Sequence, residues 1–243
     1  MTDKKIAVLG GGNAAHAMAA DLTLKGYKVY MCEFPEFEGN IKATLERQAI
    51  DLIDVWGEKS TVKIARVTTD FEETIKSASY IMLDVPGIGA KKFFNEIMPY
   101  LEDGQIIIKW AGNFSALVFA RMLEEKEIKK DITLAEGHTL PWGCRLVGPG
   151  TVEIMVWVVK LLFATFPAKK VDGVIDGVRK MYPVVAAENV LATTLNNLNA
   201  VIHPVGTIMN AGWVDTLGKD FSLNKLGHTL SISRGIKAVF EEV

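Results

Sequence analysis

A short apolar run, Lys5–Leu9 (KIAVL), leads directly into Gly10-Gly11-Gly12-Asn13-Ala14-Ala15-His16. The run reads as a strand, and Asn13–Lys25 reads as a helix. The spacing between them is G-x-G-x-x-A, the Gly/Ala form of the dinucleotide fingerprint. Gly10 permits a tight turn, and Gly12 lets the backbone approach a pyrophosphate. Ala15 is small enough for the helix to pack on the strand. Asn13 and Ala14 open a helix whose free N–H groups and positive dipole end face phosphates. The next strand, Lys28–Cys32, ends beside Glu33, about twenty residues past the loop. An acid there hydrogen-bonds adenosine ribose hydroxyls and repels a 2′-phosphate, so NAD is expected ahead of NADP. The plainer alternative is a tight turn next to a surface Glu. The strand–helix–strand context speaks against it.

The alternation continues. Ile41–Val55 has helical spacing, and Val62–Val67, Tyr80–Val85, Ile106–Ile108 and Ile132–Leu134 read as strands. Such an order predicts an α/β fold, a Rossmann-type doubly wound parallel sheet. Ligands bind beyond the carboxyl ends of strands in these sheets. That brings in Val85-Pro86, closing one strand, and Gly112, following another; an ordinary βα turn is the equal alternative for both.

After Pro141 the pattern changes. Cys144–Val147 and the run from Val152 read as consecutive strands joined by Gly148-Pro149-Gly150. Lys169–Met181 is an amphipathic helix ended by Pro183, and from about Val190 the chain is helical. The predicted division is 1–184 for dinucleotide binding and 185–243 for the beginning of an all-helical domain.

Several classes are disfavoured. The net charge of -2 lacks the basic excess that nucleic-acid binding usually needs. Cys32 and Cys144 lie far apart, and no two histidines have metal-ligand spacing, so no metal is expected. Thr151–Phe166 is very apolar, but Glu153 and Lys160 interrupt it, which favours buried strands over a membrane span. The opening residues lack a signal-peptide pattern, so the expected location is cytoplasmic.

One further segment stands out. On a helix, Asn196, Asn199, His203, Gly206 and Asn210 fall in one narrow sector, with Thr207 at its edge. Leu198, Val201, Ile202, Val205, Ile208 and Met209 fill the other side, which predicts a core-facing helix. The polar sector carries amides and an imidazole but no charge, as suits a cleft or an interface. Asn199 and His203 are four residues apart, so their side chains can meet. An imidazole can serve as general acid or base near neutral pH. A structural buried His is the alternative. His16, His138 and His228 are weaker candidates: His16 is expected to face cofactor or solvent, and His138 sits in a loop that could border a substrate.

These residues resemble the octopine/nopaline (opine) dehydrogenase family. The likeness lies in GGGNAAHAMA, in Thr139-Leu140-Pro141-Trp142 with Cys144-Arg145 and Gly148-Pro149-Gly150, and in Leu195–Asn199 through His203-Pro204 to Asn210-Ala211-Gly212. Thr229, Ser231, Arg234 and Glu241 of the last helix also fit. Ala200 and Leu230 depart from it, standing where the family often has Pro. The resemblance implies reductive condensation of an amino acid with a 2-oxo acid, with His203 as the catalytic group beside Asn199. It assigns Thr139, Arg145 and Asn196 to the substrate. Family members continue beyond the part matched here, with an Asp that partners the His, so a second copy or a partner chain is expected to complete the helical domain. Other readings kept open are a 2-oxo acid or glycerol-3-phosphate-type dehydrogenase, and a truncated NAD-binding protein without catalysis.

Overall fold

A computed structural model of the chain describes residues 4–197 and 199–242. Residues 1–3, Leu198 and Val243, which entered the readings above, lie outside the described residues. The chain divides into two compact units, Met1–Leu195 and Asn196–Val243.

In the first unit, β1 (Lys5–Leu9) passes through the glycine loop into α1 (Asn13–Leu24) and back to β2 (Lys28–Cys32). A short α2 (Lys42–Arg47) precedes β3 (Ala49–Ile53), β4 (Lys59–Lys63) and β5 (Arg66–Thr68). Next come α3 (Phe71–Ile75), β6 (Ala78–Leu83), α4 (Gly87–Ile97), β7 (Ile106–Trp110), α5 (Ser115–Glu125) and β8 (Thr133–Gly137). The unit closes with β9 (Trp142–Gly148), β10 (Thr151–Trp157), β11 (Leu161–Phe166), α6 (Val171–Arg179), β12 (Val184–Ala186) and α7 (Val190–Leu195).

The described residues form a large sheet in the order β12-β11-β8-β7-β6-β1-β2-β5. All neighbours in it are parallel except β8 and β11. Strand order reverses at β1, which lies between β2 and β6. The doubly wound α/β architecture is therefore present, with its topological switch at the glycine loop.

A second sheet, β4-β3-β10-β9, packs over α1. This explains the composition of that helix. Residues Ala15 through Leu22 are all buried, because α1 meets β1 and β2 on one side and the second sheet on the other. A helix apolar all round is a buried helix.

The second sheet also corrects two expectations. The helical spacing of Ile41–Val55 resolves into α2 and β3. Gln48 ends the helix in a left-handed conformation (φ 49), and its side chain bonds Leu45 O and both backbone groups of Val67. Ile50 and Leu52 are then buried on one strand face. Periodicity cannot separate helix from strand in so short an apolar run, and pairing with β10 decides. Val62–Val67 likewise is not one strand: β4 and β5 belong to different sheets. The apolar run Thr151–Phe166 is β10 and β11, and no described helix is long and apolar enough to cross a membrane.

In the second unit, α8 (Asn199–Met209) packs on α10 (Leu230–Glu242), and α9 (Ala211–Leu217) follows α8. The segment Leu195–Asn210 is not one helix, since α7 stops at Leu195 and Asn196 lies in the turn before α8. The expected core-facing side is also only partly buried. Val201 is buried, but Ile208 is 74% exposed and Met209 49%. Gly206 and Asn210, from the polar sector, are buried instead. The reason is local. Leu223 packs on the bare Cα of Gly206, and the Asn210 amide donates to Gly206 O (2.7 Å) and Gly227 O (3.1 Å). A satisfied amide can be buried at little cost.

Tyr182 ties the layers of the first unit together. Its hydroxyl donates to Asp21 Oδ2 of α1 at 2.8 Å, and its ring packs against Trp110 and Trp142, centroids 5.4 and 5.6 Å away. Tyr182→Phe should lower stability by about 1.5–3 kcal/mol, the worth of a hydrogen bond to a carboxylate. Urea denaturation checks this, and an unchanged midpoint would remove the bond from the account.

Candidate active site: a cleft at the head of the parallel sheet

The glycine loop is built by close contact. Gly10 has φ +114, and a Cβ there would lie 2.7 Å from Val85 Cγ1. At Gly11 a Cβ would lie 2.9 Å from both Asn40 and Ile41, and 3.0 Å from Glu33 Oε2. At Gly12 nothing lies within 4 Å of such an atom. Gly12, the first free position, opens onto a cleft of about 410 Å³.

That cleft brings together Gly12, Asn13, Ala14, Val85, Pro86 and Arg145 from the candidates above. Asn13 is fixed by its side-chain oxygen, which accepts from Leu146 N–H at 2.8 Å. Pro86 sits at the N-terminus of α4, and Arg145 is an exposed residue of β9. Its guanidinium donates to Cys144 O.

Other candidates are not part of the cleft lining. Gly10 forms the turn, and Ala15 is fully buried beneath the loop. Glu33 follows β2 and is 4% exposed. Its Oε1 accepts from Phe34 N–H at 2.8 Å, and Gly11 N–H and the Asn40 side chain also bond the carboxylate. Burial raises its pKa despite those bonds. Gly112 lies against Glu136, whose carboxyl a Cβ would meet at 2.3 Å. Thr139 lies in the segment between β8 and β9. His203 and Asn199 stand one helical turn apart on α8 in the second unit, with His203 exposed and Asn199 half-buried. Asn196 is exposed.

His16 does not face solvent; it is fully buried. Its Nδ1 is 3.0 Å from Gly12 O and its Nε2 3.0 Å from Thr44 Oγ1. A carbonyl only accepts, so Nδ1 donates and Nε2 accepts from the Thr44 hydroxyl. Burial lowers the pKa and keeps this neutral form. His16 thus braces the glycine loop against α2. His138 is half-buried, and its Nδ1 accepts from Leu162 N–H at 3.1 Å.

Three charged residues at or beside the cleft were not expected from the sequence. Asp84, at the end of β6, is buried and lines the cleft; burial pushes it up to about 7 although Lys109 opposes that. Lys109 of β7 lines it too, its pKa lowered by burial, with Nζ donating to Trp110 O at 2.9 Å. Glu136 of β8 is fully buried and accepts from Ala116 N–H (2.6 Å) and the Thr194 hydroxyl (3.0 Å). The available signal was a lone charge within an apolar run: YIMLDV, IIIKW and TLAEG. Central parallel strands are normally unbroken apolar runs. The turn after β7 also holds Ala111, Asn113 and Phe114 at positive φ, a strained conformation of the kind found at ligand sites.

This arrangement supplies free helix N–H groups and an open glycine for a phosphate-bearing ligand. It also has an Asp and a Lys at the ends of the next two strands. The residues fit a dinucleotide.

Comparison with known proteins agrees. Residues 5–134 match the family described as NAD-dependent glycerol-3-phosphate dehydrogenase N-terminus. Residues 186–243 match NAD/NADP octopine/nopaline dehydrogenase, alpha-helical domain. The chain is 34% identical over 231 residues to an opine dehydrogenase of Arthrobacter sp. (strain 1C), spanning 94% of this chain and 63% of that protein. It is 25% identical over 205 residues to the octopine dehydrogenase of Pecten maximus, spanning 82% of this chain and 51% of that one. The chain thus spans between 50% and 63% of the curated relatives it matches. Among solved structures, octopine dehydrogenase in complex with NADH and agmatine superposes with a TM-score of 0.70 at 22% identity, over 89% of this chain and 56% of that one. A ketopantoate reductase from Ralstonia eutropha JMP134 gives 0.64 at 15% identity, over 98% and 72%. These structural likenesses bear on the fold alone.

The loop contacts separate two kinds of glycine. Gly11→Ala should lower stability by about 1–3 kcal/mol through overpacking against Asn40, Ile41 and Glu33. Gly12→Ala should cost under about 1 kcal/mol, the loss of a favoured cap residue. Thermal unfolding of both variants decides. Equal losses would show that Gly12 is not open.

Proposed function

This chain belongs to the octopine/nopaline (opine) dehydrogenase family, and from that premise we propose that it works as an NAD-dependent oxidoreductase joining an amino acid to a 2-oxo acid. The observation that carries this reading is the open Gly12 at the head of a buried helix, facing the cleft where the strand order reverses.

NAD is the cofactor, and it supplies the hydride when bound. The N–H groups at the head of α1, with Gly12 and Ala14, hold the pyrophosphate. Glu33 sets the shape of the loop and places a carboxyl where the adenosine ribose lies. Val85 and Pro86 wall the cleft beyond β6, and Gly112 shapes the turn beyond β7. His203 holds and releases the proton exchanged with the substrate nitrogen or oxygen, with Asn199 one turn away on the same helix. Thr139, Arg145 and Asn196 orient the amino-acid and 2-oxo-acid carboxylates. Residues 1–184 form the dinucleotide domain and 185–243 the substrate part.

Ile208, Met209, Trp213, Leu230 and Phe240 expose large apolar surface on the second unit. Such a surface supports contact with a second polypeptide, a copy of this chain or a separate partner.

Two outcomes are expected. NADH oxidation by the purified chain, followed at the absorbance of the reduced ring, should require both a 2-oxo acid and an amine; oxidation that proceeds equally without amine overturns the opine reading. His203→Asn should lower kcat by about 10²–10⁴-fold while NADH affinity and melting temperature stay near the parent, since the side chain is exposed. Undiminished turnover would remove His203. Separately, Glu33→Ser should narrow the preference for NAD over NADP by roughly tenfold, the effect of removing a carboxylate facing a phosphate. Titration of both dinucleotides measures it, and an unchanged ratio would take Glu33 out of cofactor choice.

A further inference from the structure

The side-chain polar atoms that are buried without a hydrogen-bond partner among the described residues are Asp84 Oδ1 and Oδ2, Trp110 Nε1 and Trp142 Nε1. All three residues line the same cleft. Buried polar groups are normally paired, because an unmade bond costs more than a made one returns. The other buried side-chain polar atoms among the described residues obey that rule. The exceptions gather at one place, beyond the ends of β6 and β7.

That place has a defined relation to the glycine loop. The loop is at the tip of β1, Glu33 at the tip of β2, Asp84 at the tip of β6, and Lys109 near the tip of β7. A dinucleotide with its pyrophosphate on α1 and its adenosine toward β2 extends its other end over β6 and β7. A nicotinamide end so placed would come to the part of the cleft that Asp84 lines. The two redox forms of that ring differ by one charge: the oxidised ring is a cation, and the reduced ring is neutral.

Resting on the NAD reading above, we propose that Asp84, with Lys109 as its counter-charge, is a charge-sensing subsite for the nicotinamide end, favouring the oxidised dinucleotide when its carboxyl is ionised and losing that preference when protonated.

The surroundings make Asp84 suited to this. It is 6% exposed and belongs to none of the ion pairs found among the described residues. Lys109 faces it from β7, but its ammonium is bonded to Trp110 O, so the carboxyl oxygens stay unbonded. Glu136 of β8 balances Lys109 from the far side. From β9 come Cys144, whose thiol burial and Asp84 push up to about 11, and the Arg145 guanidinium at the rim. Tyr182 also feels Asp84, and its hydroxyl is raised well above the ordinary value. Both thiol and phenol thus stay neutral near pH 7. Asp84 is raised to about 7 by burial, so it changes charge in that range.

The sign follows. Above about pH 7 the carboxylate attracts the oxidised ring. Below it the attraction is lost, while the neutral reduced ring is little affected. Binding the oxidised form near neutrality therefore releases a proton, and binding the reduced form does not.

The test is the affinity of the full chain for NADH, by its fluorescence, and for NAD⁺, by competition, at about pH 6 and about pH 8.5, on either side of the Asp84 range. In the parent protein the affinity for NAD⁺ relative to NADH should rise roughly tenfold with pH. Asp84→Asn, which keeps the shape, should flatten that dependence. Lys109→Met should move its midpoint upward, because the charge that helps ionise Asp84 is gone. A flat ratio in the parent, or a full slope surviving in Asp84→Asn, overturns the proposal while leaving NAD binding intact. Binding of neither dinucleotide to the parent overturns the NAD reading and this proposal with it. If Asp84→Asn fails to fold, as judged by circular dichroism, the shift in Lys109→Met decides alone: an unmoved midpoint overturns the proposal.

Discussion

The cleft depends on how closely the backbone between β1 and α1 can be packed. Gly10 and Gly11 are enclosed on every side that a Cβ would occupy, by Val85, Asn40, Ile41 and Glu33. Because those two positions are filled by neighbours, the chain emerges at Gly12 with its backbone bare and its helix dipole aimed outward. His16 and Asn13 hold this geometry from either side, one bonded back to Gly12 O and across to Thr44, the other to β9. The alanines of α1 follow from the same constraint. A helix wedged between two sheets has room for little else.

Charge is placed against this apolar frame with economy. Glu33, Asp84, Lys109 and Glu136 are all buried, each near the carboxyl end of a different strand of one parallel sheet. Glu33 and Glu136 are bonded to backbone amides and serve the shape of two turns. Asp84 and Lys109 are not used in that way, and they flank the cleft itself. Buried ionisable groups are costly to keep unless something repays their desolvation.

Much of this was legible in the sequence where a local rule fixes the outcome. The G-x-G-x-x-A turn, the strand KIAVL, the strands Lys28–Cys32 and Tyr80–Val85, and the turn Gly148-Pro149-Gly150 all follow from short-range spacing. The second sheet did not, because β3 pairs with β10, Asp51 opposite Thr151, and no local pattern announces so distant a partner. Leu45, Ala49 and Leu52 keep a helical spacing, while Ile50 and Leu52 keep a strand's. In the second unit, the stripe from Asn196 to Asn210 is divided, because α7 ends at Leu195 and α8 begins at Asn199. Which side would be covered depended on Leu223 seating against Gly206, a contact made by a residue outside the stripe. Asp84 and Lys109 were visible as charges interrupting apolar strands. Their meaning needed the strand order, which alone brings β6 and β7 beside the glycine loop.

The turn between β1 and α1, together with the ends of β6 and β7, is proposed as the dinucleotide cleft. Amide hydrogen exchange, recorded with and without saturating NADH, tests it most directly. Exchange should slow at the N–H groups of Gly12, Asn13, Ala14 and Ala15, and at Val85, Gly87 and Asn113. The β3–β4 turn around Trp56, far along the chain from these positions and exposed, should be unchanged. Unaltered exchange across residues 12–15 in a protein saturated with NADH would contradict the account.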